Sequence, residues 1–219
     1  MTLKQEYRQF LEENFRGLKI KAPLFFNWDN GLRFDLQVGE TNTDEYFQEV
    51  EKRATALFET SFKPDDRIYL VLQERTDRRG KIRFSNYCFK QINGLKKEEV
   101  TYSQVHRLYE PADKTDIWNV AVAKVTTDRL NYRNIIAAIS VVDFPSRQPR
   151  LDSRGFFSNK EIFFLNIDKR LIYHMYDDRG LDIVATDKET LLPIYQGFND
   201  WILECNREQI DNALKKNGL

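Results

Sequence analysis

The chain has 219 residues, of which 41% are hydrophobic and 13% aromatic, so it can build a sizeable core and is not disordered as a whole. Lysine and arginine number 34, as do aspartate and glutamate, which excludes a net field that would collect nucleic acid or an anionic membrane over long range. Two cysteines, Cys88 and Cys205, are too few for a disulfide framework or a zinc cluster. With no apolar run near Met1, we expect one cytoplasmic domain over residues 1–219, without membrane contact or cofactor.

The amino-terminal part is predicted to form two helices around a hairpin. Apolar residues recur at helical spacing from Leu3 to Phe15, behind a capping box formed by Thr2 and Gln5. Alternating apolar residues in 24–38, on both sides of Asn30-Gly31, predict two strands that meet at a tight turn. A second amphipathic helix is expected to begin at Asn42 and end near Phe62.

The middle of the chain is predicted to contain a meander of antiparallel strands. The strand-like runs are 68–74, 82–89, 102–109 and 118–125. Helical spacing returns from Tyr132 to Ile139, and the stretch from Asp143-Phe144-Pro145 to Arg154 predicts a long loop.

The last third is predicted to contain three strands and a terminal helical region. The strands are expected at 162–167, 171–176 and 181–185, and the helical region begins at about Lys188. The turn at 177–180 joins the second strand to the third, and we expect Gly180 to adopt a positive φ there. Runs of strands with helices at both ends predict an α+β fold built on a mainly antiparallel sheet.

This turn carries the densest cluster of polar residues beside apolar strands. His174 precedes Asp178 by four residues and Asp182 follows it by four, so an imidazole and two carboxylates could hold a divalent metal and activate water. In the alternative interpretation, which we prefer, the aspartates accept backbone hydrogen bonds and Arg179 pairs with a nearby carboxylate. We therefore expect neither a catalytic residue nor a bound metal.

A second candidate site is the basic and aromatic loop before the last strands. Its members are Arg147, Arg150, Arg154, Phe156 and Phe157. Aromatic and cationic side chains in one loop are typical of surfaces that stack on nucleic acid. Acidic residues interrupt the loop and the whole chain is neutral, so a solvated loop is the preferred interpretation.

Several motifs resemble those of a known family. They are Trp28, Leu32-Arg33-Phe34-Asp35-Leu36, Tyr46-Phe47, Asp143-Phe144-Pro145, and above all Tyr176-Asp177-Asp178-Arg179-Gly180 with Asp182. Over most of its length the chain resembles an uncharacterised bacterial family catalogued as a domain of unknown function (DUF3885). The resemblance implies that Arg33 and the Asp177–Asp182 turn form either one polar site or a buried ion pair. It also implies an association with bacterial toxin systems, and hence an immunity or accessory role.

Three functions from different classes follow from these observations. The first is a non-enzymatic protein-binding module whose partner is another protein, in its narrower form a toxin. Its candidate binding residues are Arg33, Arg147, Arg150, Phe156, Asp177, Asp178, Arg179 and Asp182. The alternatives are a metal-dependent hydrolase that uses His174, Asp178 and Asp182, and a nucleic-acid-binding domain.

Overall fold

A computed structural model describes residues 1–76, 80–109, 117–152 and 159–215. The strands in this part of the chain are β1 (Gly31–Asp35), β2 (Arg67–Thr76), β3 (Val100–His106), β4 (Ile117–Thr126), β5 (Lys160–Asn166), β6 (Leu171–Met175) and β7 (Gly180–Ala185). The helices are α1 (Leu3–Asn14), α2 (Asp44–Ser61), α3 (Tyr87–Lys90), α4 (Tyr132–Ser140), α5 (Lys188–Gly197) and α6 (Arg207–Lys215). The predicted α+β fold, with helices at both ends of the chain, is confirmed.

All seven strands belong to one antiparallel sheet in the order β1-β7-β6-β5-β2-β4-β3. Alternate residues of each strand face opposite sides, as the pleat requires. On β6, Tyr173 joins the larger core, which contains the buried faces of α2, α4 and α5, whereas Ile172 joins a smaller core under α1. None of the helices in the described ranges combines the length and the apolar character needed to cross a bilayer.

Helix α1 begins and ends as its sequence predicts. The Thr2 hydroxyl accepts the backbone N–H of Gln5, and the Gln5 side chain accepts the backbone N–H of Thr2. Gly17, with φ of 84°, follows the helix in the left-handed region. Tyr7 and Phe10 lie on the buried face and pack against Tyr69 of β2, so α1 covers the second face of the sheet.

The hairpin predicted within 24–38 is wrong. Residues 25–27 form a single 3-10 turn, and β1 pairs with β7, from Gly31 opposite Val184 to Asp35 opposite Gly180. The Asn30 carbonyl accepts the backbone N–H of Ala185 and its side chain donates to the Thr186 carbonyl. Asn30 is therefore docked on β7 and does not form a local turn.

Three further expectations need correction in the middle of the chain. The strand predicted at 82–89 is absent from the described residues, because Asn86 caps the short helix α3 and accepts the backbone N–H of Phe89. The strands do not form a simple meander, since β2 lies between β4 and β5. Helix α2 is capped by Thr43, and Asn42, with φ of 70°, lies outside it.

The three predicted carboxyl-terminal strands are confirmed as β5, β6 and β7. Strand β5 pairs with β2 over its whole length, but its pairing with β6 runs only from Asn166–Leu171 to Phe164–Tyr173. The beginning of β5 and the end of β6 are therefore not joined by a ladder, and this break in pairing lies beside the β6–β7 hairpin.

Candidate binding site at the hairpin between β6 and β7

The hairpin tip is ordered by Asp177. Its carboxylate accepts the Arg179 backbone N–H at 2.8 Å, and it also pairs with the Arg179 guanidinium through both Nε, at 2.8 Å, and Nη2. Both contacts are those expected of the structural interpretation of the turn. Arg179 also lies 3.4 Å from the Asp143 carboxylate, and its own side chain remains 60% exposed. The tip therefore presents a guanidinium in a fixed position.

Asp178 points toward α2. The Tyr46 hydroxyl donates a hydrogen bond of 2.5 Å to its carboxylate. Burial raises the pKa of Asp178, and burial together with Asp178 raises the pKa of Tyr46 to about 12. The contact fixes the end of the hairpin to the start of α2.

A carboxylate cluster lies at the tip, but it differs from the predicted metal ligands. Among the described residues, only Asp143, Asp177 and Asp178 form a group of three ligand residues whose ligand atoms all lie within 4.8 Å of one another. His174 and Asp182 are not part of it, since both side chains face the smaller core, as Ile172 and Val184 do. The fold therefore does not assemble His174, Asp178 and Asp182 into one metal site.

Gly180 does not have the positive φ that we expected. It is the first residue of β7, and a Cβ there would lie 2.3 Å from the Tyr176 hydroxyl and 2.7 Å from the Phe34 carbonyl oxygen. A glycine is required because Tyr176 and β1 approach its Cα closely.

Behind the tip, Arg33, Asp182 and His174 are neighbours across three adjacent strands. Asp182 accepts the Phe25 backbone N–H at 3.1 Å and lies 3.6 Å from Arg33 Nε, which is an ion pair without a close hydrogen bond. The Arg33 guanidinium contacts the rings of Phe26 and Tyr176, 5.1 Å and 5.7 Å from their centroids. The expected ion pair of Arg33 thus exists, and it is located behind the hairpin tip.

His174 and Asp182 are both fully buried, and burial shifts their pKa values in opposite directions. It lowers the pKa of His174 to about 3, so the imidazole is neutral at physiological pH. It raises the pKa of Asp182 to about 6, although Phe25 and Arg33 favour the ionised form. His174 stacks on Phe163 at 4.1 Å, and neither imidazole nitrogen has a hydrogen-bond partner among the described residues.

A cavity of about 220 Å³ lies where the pairing between β5 and β6 stops. Exposed Asp143 and Arg179 line it together with buried His174 and Met175, so it extends inward from the hairpin tip. Glu161 also lines it; one carboxylate oxygen accepts the Tyr109 hydroxyl at 2.6 Å, and the other has no hydrogen-bond partner in the described part of the chain. Burial raises the pKa of Glu161. Two strands therefore place buried polar atoms without hydrogen-bond partners in the lining of this cavity.

Two other predicted binding residues, Arg147 and Arg150, do not line this cavity. Arg147 pairs with Asp44 at 2.8 Å and stacks on Phe47 at 4.3 Å, which fixes its loop to α2. Arg150 borders a separate polar groove of about 750 Å³. Phe156, with Arg154 and Phe157, lies outside the described residues.

Sequence reasoning missed two residues of the site. The sequence marks Tyr46 only as part of the Tyr46-Phe47 motif, and the tyrosine hydroxyl is the one signal of its contact with Asp178. Glu161 directly precedes the apolar run 162–165 of β5, and a carboxylate beside such a run is the signal that could have identified it.

Comparison with known proteins supports the family resemblance. The family model described as "Domain of unknown function (DUF3885)" matches residues 7–206. The chain is similar to the "Uncharacterized protein YnaE" of Bacillus subtilis (strain 168), with 24% identity over 223 residues that cover 89% of this chain and 96% of the relative. No solved structure matches the chain.

Proposed function

This chain belongs to the DUF3885 family, and we propose that it is a non-enzymatic protein-binding module. Its binding surface is the hairpin surface, which we define as Asp143, Tyr176, Asp177 and Arg179 together with the cavity lined by His174. The observation that carries this proposal is the buried imidazole without hydrogen-bond partners beneath an ordered polar rim. Buried polar groups normally have partners, so a polar side chain of a bound protein would complete this site.

The charge states of the site favour recognition over catalysis. A histidine whose pKa is about 3 accepts protons poorly at neutral pH, so His174 acts as a hydrogen-bonding group and is a weak general base. Asp177 and Asp178 are already engaged by Arg179 and Tyr46. These contacts hold the carboxylates in place and leave less of their capacity for a metal or a water nucleophile.

Arg179 is the residue best placed to contribute binding free energy. Arginine is enriched among the residues that dominate interface affinity, particularly where the side chain is held in place before binding. Asp177 holds this guanidinium while more than half of the side chain stays exposed. An acidic or carbonyl-rich segment of the partner would pair with Arg179 at the rim.

A bacterial toxin is the narrower form of the proposed partner. This form rests on the family resemblance, whereas the hairpin surface supports protein binding in general. A toxin that loses activity when this protein is added in equimolar amount would support it. A captured partner without toxicity would leave general protein binding as the function.

Affinity capture from lysate of the native host tests the proposal. We expect the wild-type chain to recover a specific protein, and Arg179→Ala and Asp143→Ala to recover it at least about tenfold less, because an interface arginine that is held in place contributes about 1–2 kcal/mol or more. Arg16→Ala is the matched control, since Arg16 is 84% exposed at the end of α1 and far along the chain from the hairpin. Circular dichroism and melting midpoints establish that each variant is folded. Equal recovery by Arg179→Ala and wild type, or no recovery above background, would contradict the proposal.

A second candidate function, nucleic-acid binding, is favoured by the groove beside Arg150. Among the described residues, five cationic side chains line this groove, against two acidic ones, Glu74 and Asp152. The cationic residues are Lys81, Arg83, Lys90, Arg150 and Lys160. Local charge of one sign can attract a polyanion even when the whole chain is neutral.

Fluorescence anisotropy with a single-stranded oligonucleotide over a series of salt concentrations tests this second function. We expect the double variant Arg83→Gln/Lys90→Gln to reduce the slope of log affinity against log salt by about 1.4, since each phosphate contact contributes about 0.7. Arg16→Gln/Arg133→Gln is the matched double control, because both arginines are well exposed outside the groove. No binding at low salt would exclude this function.

A further inference from the structure

A separate cavity lies between α1 and β3, at the edge of the sheet far from β6. Its volume of about 360 Å³ is in the range of small-molecule sites. Its walls are largely apolar: Leu11 from α1, Leu18 from the following segment, Val105 from β3 and Val120 from β4. An apolar part of a ligand would be buried against these side chains.

The rim of this cavity carries charge of one sign. Lys4, Arg8, Lys19 and Arg107 line it, and no aspartate or glutamate among the described residues does. Lys4 and Arg8 are one helical turn apart on α1, so they lie on the same side of the helix. In the described part of the chain, none of these four residues forms an ion pair. The rim therefore complements an anion.

A buried amide provides an independent observation that points to a ligand. Gln73 lines the cavity, is only 2% exposed, and donates from Nε2 to the Ile20 carbonyl at 2.9 Å. Because a carbonyl oxygen only accepts, this bond fixes which end of the amide is the oxygen. The remaining atom, Oε1, has no hydrogen-bond partner among the described residues. A ligand N–H or O–H would satisfy it.

We propose that the cavity between α1 and β3 binds a small amphipathic organic acid with an apolar body, a hydrogen-bond donor and one anionic group. The apolar body lies against Leu11, Val105 and Val120. The donor meets Gln73 Oε1, and the anionic group lies among the four cations of the rim. This site is independent of the hairpin surface and of the partner that binds there.

Two fluorescent probes separate the contributions to this binding. The first, 8-anilinonaphthalene-1-sulfonate, has an apolar aromatic body, an N–H and a sulfonate. The second, N-phenyl-1-naphthylamine, has the same body and N–H without the sulfonate. We expect the native protein to bind one molecule of the sulfonate probe, at least about fivefold more tightly than the neutral probe, which is the scale of favourable partly exposed ion pairs.

Variants test each part of the site. Arg8→Gln/Lys19→Gln should weaken binding of the sulfonate probe by about fivefold and leave the neutral probe nearly unchanged. Gln73→Met should weaken both probes, and Val105→Trp should prevent both from binding by filling the cavity from the partly exposed edge strand. Arg16→Gln is the charge control, because Arg16 follows α1 in the sequence but does not line the cavity.

Three results would overturn the proposal. They are equal affinity for the two probes, binding of several molecules without saturation, and unchanged binding by folded Val105→Trp. Near-ultraviolet circular dichroism is recorded on every variant, because a partly unfolded chain also binds the sulfonate probe. If Gln73→Met does not fold, the Arg8→Gln/Lys19→Gln result alone decides whether the cationic rim binds the anion.

Discussion

Gly180 cannot be replaced by a larger residue without a loss of stability, because two groups approach its Cα closely. We predict that Gly180→Ala lowers the free energy of unfolding by about 1–3 kcal/mol, since the added methyl group overlaps the Tyr176 hydroxyl and the Phe34 carbonyl. Urea denaturation measures this change. Gly197→Ala is the control: it ends α5 with no atom within 4 Å of the added Cβ, so its effect should be small.

The variant Tyr176→Phe separates the two overlaps that the methyl group of Gly180→Ala would create. That change removes the hydroxyl oxygen, 2.3 Å from the added Cβ, but leaves the backbone oxygen of Phe34 at 2.7 Å. Tyr176→Phe should therefore recover only part of the stability lost in Gly180→Ala. Full recovery would show that β1 moves easily away from β7, and no loss in Gly180→Ala would contradict the close packing itself.

His174 and Asp182 affect stability in opposite directions as pH changes. The pKa of Asp182 is about 6 when folded against an ordinary 3.8, so over this interval the folded chain holds more protons and stability falls as pH rises. The pKa of His174 is about 3 when folded against 6.5, so the unfolded chain holds more protons and stability rises with pH. Between pH of about 4 and 6 the two contributions oppose each other, each approaching about 1.4 kcal/mol per pH unit.

Single substitutions should reveal each contribution. We predict that Asp182→Asn makes stability rise more steeply with pH between about 4 and 6 than in the wild type, because the opposing term is gone. His174→Phe can retain the stack on Phe163. Relative to the wild type, it should make stability fall as pH rises over the same interval. Urea midpoints at half-unit pH steps measure both. Parallel curves for all three proteins would contradict the shifted pKa values.

At the scale of elements, local signals predicted most helices and the last hairpin. Helix α1 follows from its cap and apolar spacing, and β6 and β7 are neighbours joined by a short turn. Strand β1 could not be paired from sequence, because its partner β7 lies about 150 residues away and the Asn30-Gly31 pair imitates a local turn. A local pattern determines whether a segment suits a strand, but it does not identify a distant partner.

In the candidate site, too, local contacts could be predicted from the sequence and long-range arrangements could not. The contacts of Asp177 and Arg179 are local to one turn, so residue types alone indicated them. The cavity depends on where pairing between β5 and β6 stops, and that position has no local signature in the sequence. The sequence can therefore mark Glu161 as unusual, but only the fold places it at the cavity.

The capping box of α1 should affect the stability of the whole second face. We predict that Thr2→Ala lowers the free energy of unfolding by about 1 kcal/mol, because the Gln5 backbone N–H loses its acceptor at the helix start. Thermal denaturation measures the effect. Thr41→Ala, an exposed threonine before α2, is the control and should change little. Equal losses of stability in Thr2→Ala and Thr41→Ala would show that the cap itself contributes no stability.

Across the whole molecule, the sheet order joins distant parts of the chain. Strand β1 lies next to β7 at one edge, and β2 lies inside the sheet between β5 and β4. A chain ending after residue 150 would lack β5, β6 and β7, which leaves β1 without its partner and exposes the edge of β2 that pairs with β5. The two cores therefore share one sheet and depend on strands from both ends of the sequence.

We predict from this arrangement that the two faces of the sheet unfold together. Trp28 packs against the smaller core and Trp201 against the larger one, so two single-tryptophan variants report separately on the faces. Each variant carries phenylalanine at the other two tryptophan positions. Their fluorescence transitions in urea should coincide with each other and with far-ultraviolet circular dichroism, because coincident probes indicate one cooperative unit.

Comparing the two fluorescence transitions with circular dichroism also distinguishes a loss of cooperativity from a simple change in stability. Phenylalanine substitutions can shift each midpoint, so the fluorescence of each variant is compared with circular dichroism of the same variant. If Trp28 fluorescence changes at lower urea than circular dichroism, α1 detaches before the sheet unfolds and the smaller core is an independent layer. If every pair coincides, packing on both faces of β2 and β5 makes the sheet unfold as a whole.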